Sequence, residues 1–336
     1  MTTITKTVEV NKIIKEQYLS ADVEEVQKLN EEAKLKTFKS RIVWRNVFLF
    51  GLLHAAALLG AYHLLFCVKW YTVIWTFTCW ILSGLGITAG AHRLWSHRCY
   101  KAKLPLRICL MFFNSMAIQN DIIEWSRDHR CHHKWTDTDA DPHNINRGFF
   151  FSHMGWLLEK KHPKVKEMGT KLDLTDLFND PVCAFQRKYY FPLVIFSCFV
   201  FPTWVAVAGW GESAFYAFYT AGVFRYVFTL HATWLINSAA HTFGYKPYDA
   251  SISPVESVWT DVLAIGEGGH NFHHTFPQDY RASEYGYELN ITKLFIDFMQ
   301  MIGQAYDCKT VTEEVIVRQS ANKGECPRLN ASKKNN

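Results

Sequence analysis

Apolar residues in this chain gather into four long blocks separated by polar stretches. Val47 to Val68 reads VFLFGLLHAAALLGAYHLLFCV, 22 residues without a formal charge. Trp70 to Ala91 follows Lys69; beyond a long polar region come Tyr189 to Trp210 and Ala214 to Ile236. Each approaches the roughly 20 residues that a helix needs to cross about 30 Å of hydrocarbon. The connections inside each pair are very short, around Lys69 in the first and GWGES, residues 209–213, in the second. The pattern predicts an all-α integral membrane protein with four transmembrane helices, about 47–68, 70–91, 189–210 and 214–236, in two hairpins. Leu104 to Ile118 is apolar too, but it holds Arg107, opens at a proline and is too short to span, which predicts an interfacial or buried helix. Arg225 lies inside the fourth block. At a bilayer centre it would cost about 2.5–3.5 kcal/mol, so it must snorkel, pair or face protein.

Basic residues set the orientation. Lys34, Lys36, Lys39, Arg41 and Arg45 precede the first block, whereas the two hairpin loops carry one lysine between them. The positive-inside bias then places both termini and the long middle region in the cytosol. This gives a polar cytosolic arm (1–42) with some helical tendency, a main domain (43–306) whose cytosolic cap comprises 92–188 and 237–306, and a cytosolic tail (307–336). The arm has no apolar h-region and does not read as a signal peptide. A net charge of +5 is too mild to argue for nucleic acid and suits anionic lipid headgroups or acidic partners. Nine scattered cysteines without a C-x-x-C pair indicate neither a disulfide framework nor a zinc ribbon, so reduced thiols are expected.

The chemistry lies in the histidines. His92 and His97 stand in HRLWSH, just past the second block; His129, His132 and His133 in HRCHH; His270, His273 and His274 in HNFHH; Asn237 and His241 in NSAAH, at the end of the fourth block. Positions i, i+3 and i+4 share a helix face, so each HxxHH is expected to aim three imidazoles one way. HRLWSH, at i and i+5, needs a distorted or ending helix to do the same. Two crossings separate the second cluster from the third, which returns the chain to the same side, and all can meet on the cytosolic face. Massed free imidazoles would repel on protonation, whereas a metal holds them neutral. Imidazole suits Zn, Cu, Fe or Ni, and nine exceed what one ion accepts. Two metals are implied, and two irons sharing the oxidising equivalents of O₂ fit so rich a site. His54, His63, His153, His162 and His231 read as isolated, and His143 in DADPHN as a candidate support behind the ligands.

At these residues the chain resembles the membrane-bound fatty acyl-CoA desaturases, especially the animal and above all insect members. The matching stretches are GITAGAHRLWSHR, NDIIEWSRDHRCHHKW, DADPHN, RGFFFSHMGWLL, FRYVFTLHATWLINSAAHTFG and GEGGHNFHHTFPQDYR, within about Val43 to Tyr306. The resemblance implies a four-helix fold with a cytosolic cap around a di-iron centre of two Fe(2+). Its ligands would be His92, His97, His129, His132, His133, His241, His270, His273 and His274, with Asn237 holding a metal through water. It also implies that Gln119, Trp156 and Thr233 bound the bend of an acyl tunnel lined by Trp234. Asn46, Asn120, Arg127, Asp128, Lys160 and Lys161 would contact the CoA head, and cations there make independent sense against CoA phosphates.

The implied reaction is O₂-dependent insertion of a double bond into a long-chain acyl-CoA. Two electrons come from the substrate and two from cytochrome b5 with its NADH-dependent reductase, since no heme-binding HPGG loop is present. Lys333-Lys334-Asn335-Asn336 looks like an endoplasmic reticulum retrieval signal and agrees with a cytosolic tail. Hydroxylase, conjugase and acetylenase outcomes share the chemistry. A histidine-rich metal transporter would need polar ligands at the bilayer midplane, and a bis-histidine heme protein would need paired ligands inside the spans; the blocks offer little of either.

Overall fold

The computed structural model describes residues 23–35, 38–284 and 290–325. The dilysine tail lies outside the described residues, as does the first part of the arm. The architecture is helical, with one small antiparallel strand pair among the described residues, β1 (Lys101–Ala102) and β2 (Ala305–Tyr306). In chain order the main helices are α1 (Val23–Leu35), α2 (Trp44–Phe66), α3 (Trp70–Ser96), α4 (Leu104–Ala117), α5 (Ile122–Lys134), α6 (Tyr190–Trp210), α7 (residues 214–238), α8 (His270–Thr275) and α9 (Ile291–Met301).

Three of these, α2, α3 and α6, are long and apolar enough to cross a membrane. Their outer faces carry exposed Leu58, Leu65, Phe66, Tyr71, Ile74, Phe191 and Trp204, which only lipid would accept without cost. The expected fourth span, α7, is a continuous helix of three segments but falls outside that set. Arg225 and His231, with its Tyr and Thr residues, dilute its apolar character. It packs against α2 at van der Waals limit: a Cβ at Gly60 would fall 2.0 Å from the Tyr219 carbonyl oxygen. Both hairpin turns meet at one end. The Lys69 ammonium donates to the carbonyls of Trp210 (2.9 Å) and Gly211 (2.7 Å), and Glu212 accepts from the Lys69 amide (2.8 Å) and the Thr72 hydroxyl (2.6 Å).

At its other end α3 continues as a π-helix, Gly86–Ser96, whose residues are all buried. A Cβ on Gly86 would lie 2.1 Å from the Asn114 amide, so glycine lets α3 and α4 touch backbone to backbone. Helix α4 is short, as expected, and half-buried: Leu106, Leu110 and Met111 enter the main core while Leu104 and Ile108 stay exposed, and Arg107 pairs with Asp180 at 3.0 Å. The same core takes in Trp95, Tyr100, Ile122, Ile123, Leu177, Ile265 and Ile296, which fastens the later segments to the end of α3.

Helix α5 starts at Asp121, whose carboxylate accepts from the amides of Ile123 (3.0 Å) and Glu124 (3.1 Å). The arm is more than a polar tether. Leu29 of α1 packs with Cys131, Trp135 and Met168, and Glu25 accepts from the Trp135 indole at 3.0 Å. All eight described cysteines are free thiols. Asn290, which opens a glycosylation sequon, is fully buried and caps α9, so it cannot act as an acceptor.

Candidate metal centre

Nine of the histidines form two adjoining groups. His92, His97, His129, His133 and His273 bring ligand nitrogens within 4.8 Å of one another, and so do His132, His241, His270 and His274. The expectation that each HxxHH aims all three rings one way is corrected here. In α5, His129 and His133 go to the first group and His132 to the second; in α8, His270 and His274 go to the second and His273 to the first. At about 100° per residue, i+3 and i+4 straddle position i and stand about 100° apart, so one helix can serve two neighbouring sites. The i+5 pair is aligned by the π-helix: the His97 amide donates to the His92 carbonyl at 3.1 Å, five residues back.

Ring nitrogens confront one another directly. Nε2 of His273 lies 2.9 Å from Nε2 of both His92 and His133; the His97–His129 pair is at 2.8 Å and the His241–His270 pair at 3.0 Å. Nε2 of His274 is buried with no protein partner. Three of the outward nitrogens are held from behind. Nδ1 of His92 meets Glu267 at 2.9 Å, Nδ1 of His132 meets Asp141 at 3.0 Å, and Nδ1 of His241 meets the Ser253 hydroxyl at 2.8 Å. A carboxylate behind a ring fixes the Nδ1–H tautomer and turns the Nε2 lone pair inward. Burial, and then neighbouring imidazole charge, push His97, His129, His133, His241, His270, His273 and His274 well below the ordinary imidazole range. Burial acts the same way on His132, but Asp141 outweighs it and raises that ring. Neutral imidazoles with converging lone pairs are what a metal ion requires.

A cavity of ≈ 110 Å³ opens beside the histidines; Gln119, Asn120, Trp125, His129, Trp156, Thr233 and Asn237 are among the residues lining it. Asn237, Thr233 and His129 also line a second cavity with His92 and His270, and Ile87, Thr88 and Ile236 continue from that into a third, ended by Trp80, Gly84 and Ile265. Of the expected substrate residues, Gln119, Asn120, Asp128, Trp156, Thr233 and Trp234 line the first cavity. Gln119 donates to the Thr233 hydroxyl at 2.9 Å. Asn46, Arg127, Lys160 and Lys161 lie outside its wall but close by. Asn46 donates to the carbonyl of Leu157, a lining residue, at 2.7 Å. Arg127 (2.7 Å) and Lys161 both clasp Asp128, and against burial they hold its carboxyl below the usual range. Lys160 is exposed.

Residues 69–285 match the fatty acid desaturase family model. A Delta(9)-fatty-acid desaturase, fat-6, of Caenorhabditis elegans is 63% identical over 92% of this chain and 91% of its own. A stearoyl-CoA desaturase of Sus scrofa is 52% identical over 85% of this chain and 80% of its own, and an acyl-CoA desaturase of Ovis aries 54% identical over the same shares. The chain belongs to the fatty acid desaturase family.

Three features of this desaturase were not read from the sequence. Glu267 stands between His92 and Arg93, accepting from Arg93 at 2.9 and 3.1 Å, and Arg93 with His92 holds its carboxyl low against the effect of burial. Within DADPHN, Asp141 supports His132, whereas the His143 ring lies 4.3 Å from that of Trp156 at the cavity. The third is a correction: His54, His231 and His153 are not isolated. Nε2 of His54 and His231 are 3.0 Å apart, Nδ1 of His231 is 3.0 Å from Nε2 of His153, and the ends of the chain meet the Phe50 carbonyl (2.6 Å) and the Ser238 hydroxyl (2.9 Å). Their sequence separation gave no signal. His63 packs elsewhere, against Phe215 and Tyr216.

Proposed function

We propose that this desaturase inserts a double bond into a long-chain acyl-CoA at the ninth carbon, the position named for its Delta(9) relatives. The observation that carries the reading is the adjacency of two histidine groups and a cavity that shares His92, His129 and His270 with them. The donor set fits two irons. Five imidazoles, His92, His97, His129, His133 and His273, would hold one; His132, His241, His270 and His274 would hold the other, with Asn237 joining through water. The buried, unpartnered Nε2 of His274 supports this, because a buried imidazole nitrogen without a partner is costly unless a ligand takes it. Bound iron supplies the O₂ chemistry needed to remove hydrogens from unactivated methylenes, which no side-chain base can do. Two further electrons come from cytochrome b5 and its NADH-dependent reductase.

The chain's own residues bind and orient. Arg127, Lys160 and Lys161 supply positive charge for the CoA phosphates, with Asn46, Asn120 and Asp128 alongside. The acyl chain follows the adjoining cavities, turns where Gln119 and Thr233 are bonded and Trp156 closes the wall, and passes Trp234. Apolar walls around the reacting carbons keep water away.

In this reading α7 is the fourth span of a protein in the endoplasmic reticulum membrane, and the cap and both termini face the cytosol. The shared Lys69–Glu212 tie supports it, since two hairpins whose turns meet must return to one side. Arg225 is fully buried, so its charge does not face lipid. The test is fatty-acid analysis of desaturase-deficient yeast expressing the chain, with bonds located by mass spectrometry. A new Δ9 monoene is expected. Iron-loaded protein that makes no monoene would overturn the reading.

A further inference from the structure

Arg225 spends its charge on backbone. Its guanidinium donates to the carbonyls of Met116 (2.7 Å), Cys198 (2.7 Å) and Ala221 (3.1 Å), joining α4, α6 and α7. Met116 is in the last turn of α4, where carbonyls lack helical partners and a cation is favoured. Immediately beyond, Ile118 (φ 44°) and Asn120 (φ 71°) both adopt left-handed backbone without being glycine. Such backbone persists only where its surroundings over-determine it. Gln119 sits between them and reaches Thr233, which lies two turns beyond Arg225 on α7, about 12 Å along the axis. Hydroxyl-to-carbonyl bonds from Thr229 to Arg225 (2.9 Å) and from Thr233 to Thr229 (3.1 Å) run up the same face. The adjacent Tyr226 hydroxyl donates to the Ile118 carbonyl at 3.4 Å. One helix thus grips the strained turn at both ends.

We propose that Arg225 is a positioning residue for desaturation: by fixing the end of α4 it sets where the Gln119–Thr233 bend stands relative to the histidine groups, and so which carbon pair is presented. The inference rests on the proposed role of that bend in the acyl path. Lysine cannot replace Arg225, because a single ammonium lacks the planar fork that reaches carbonyls on two helices at once.

The test uses the full chain, purified in detergent, with Arg225→Lys and Arg225→Gln. Iron per chain, KM, kcat and double-bond position are measured. Expected are unchanged iron, little change in KM, a kcat lower by up to about 10²-fold, the effect of misplacing reacting atoms by ~1 Å, and monoenes displaced from the principal position. Wild-type kcat with one product position overturns the proposal. So does a loss of product that merely tracks loss of iron-loaded protein, since that is a structural role. If neither variant accumulates, Tyr226→Phe decides, because it loosens the same turn by one hydroxyl: displaced monoenes support the proposal, and a single position at full rate overturns it. Thr233→Val separates the two readings. Products unmoved there overturn the bend and Arg225's role together; products displaced there but not at Arg225 overturn only the latter.

Discussion

Replacing Glu267 by glutamine changes one atom and leaves a buried guanidinium and a histidine of the proposed metal site competing for a single acceptor. In the native side chain one carboxylate oxygen accepts from Arg93 Nε (3.1 Å) and Nη2 (2.9 Å), while the other meets His92 Nδ1 (2.9 Å). A glutamine has only one acceptor oxygen. Kept on Arg93, it turns its NH₂ toward His92, which must then accept at Nδ1 and carry its proton on Nε2, where the lone pair is needed. Kept on His92, it points NH₂ at a buried guanidinium. Removing one partner of a buried ion pair costs about 3–5 kcal/mol. Arg93 retains the carbonyls of Gly266, Tyr280 and Arg281, which puts the loss near the low end, about 3 kcal/mol. Loss of a carboxylate behind a ligand weakens metal binding by about 10–100-fold. The assay is iron per chain by atomic emission beside thermal melting, with Glu267→Asp as the charge-keeping control. Full iron and an unchanged melting temperature in Glu267→Gln would show that the carboxylate neither orients His92 nor balances Arg93.

Other buried groups near the site give two more expected outcomes. Burial raises the Glu256 carboxyl to about 8 from an ordinary 4.5, so its stabilising neutral form is complete below 4.5 and lost as pH rises through 8. Its oxygen accepts from the amide of Phe272, between His270 and His273 of α8, at 2.8 Å. Melting temperature should fall from pH 6 to pH 9 and fall less in Glu256→Gln; a rise, or an equal fall in the variant, contradicts the assignment. At the far cavity, a Cβ on Gly84 would already lie 2.7 Å from the Ile265 side chain. Gly84→Leu should therefore cut turnover of longer acyl-CoAs relative to shorter ones in a competition assay, and an unchanged ratio would remove that cavity from the acyl path.

By itself the sequence determined what periodicity and local spacing can carry. Apolar runs longer than a core needs gave the membrane helices, and α4 was legible as an apolar piece too short to span. Fifteen histidines, six of them in two HxxHH runs and three more at His92, His97 and His241, pointed to a metal centre. The motifs also carried the family, and with it the cavity residues Gln119, Trp156 and Thr233. What lay beyond reach depends on contacts between distant segments. The division of HRCHH and HNFHH between two groups follows from where two helices face each other, and spacing along one helix cannot show that. Glu267 meets His92, and His54 meets His231, only because the chain returns, and no periodicity links such positions. Arg225 shows the difference most clearly: the sequence found a charge in an apolar block, and tertiary structure alone supplied the three carbonyls that make its burial tolerable. Local pattern follows from backbone geometry within a few residues; ligand partition and charge compensation follow from packing across the whole chain.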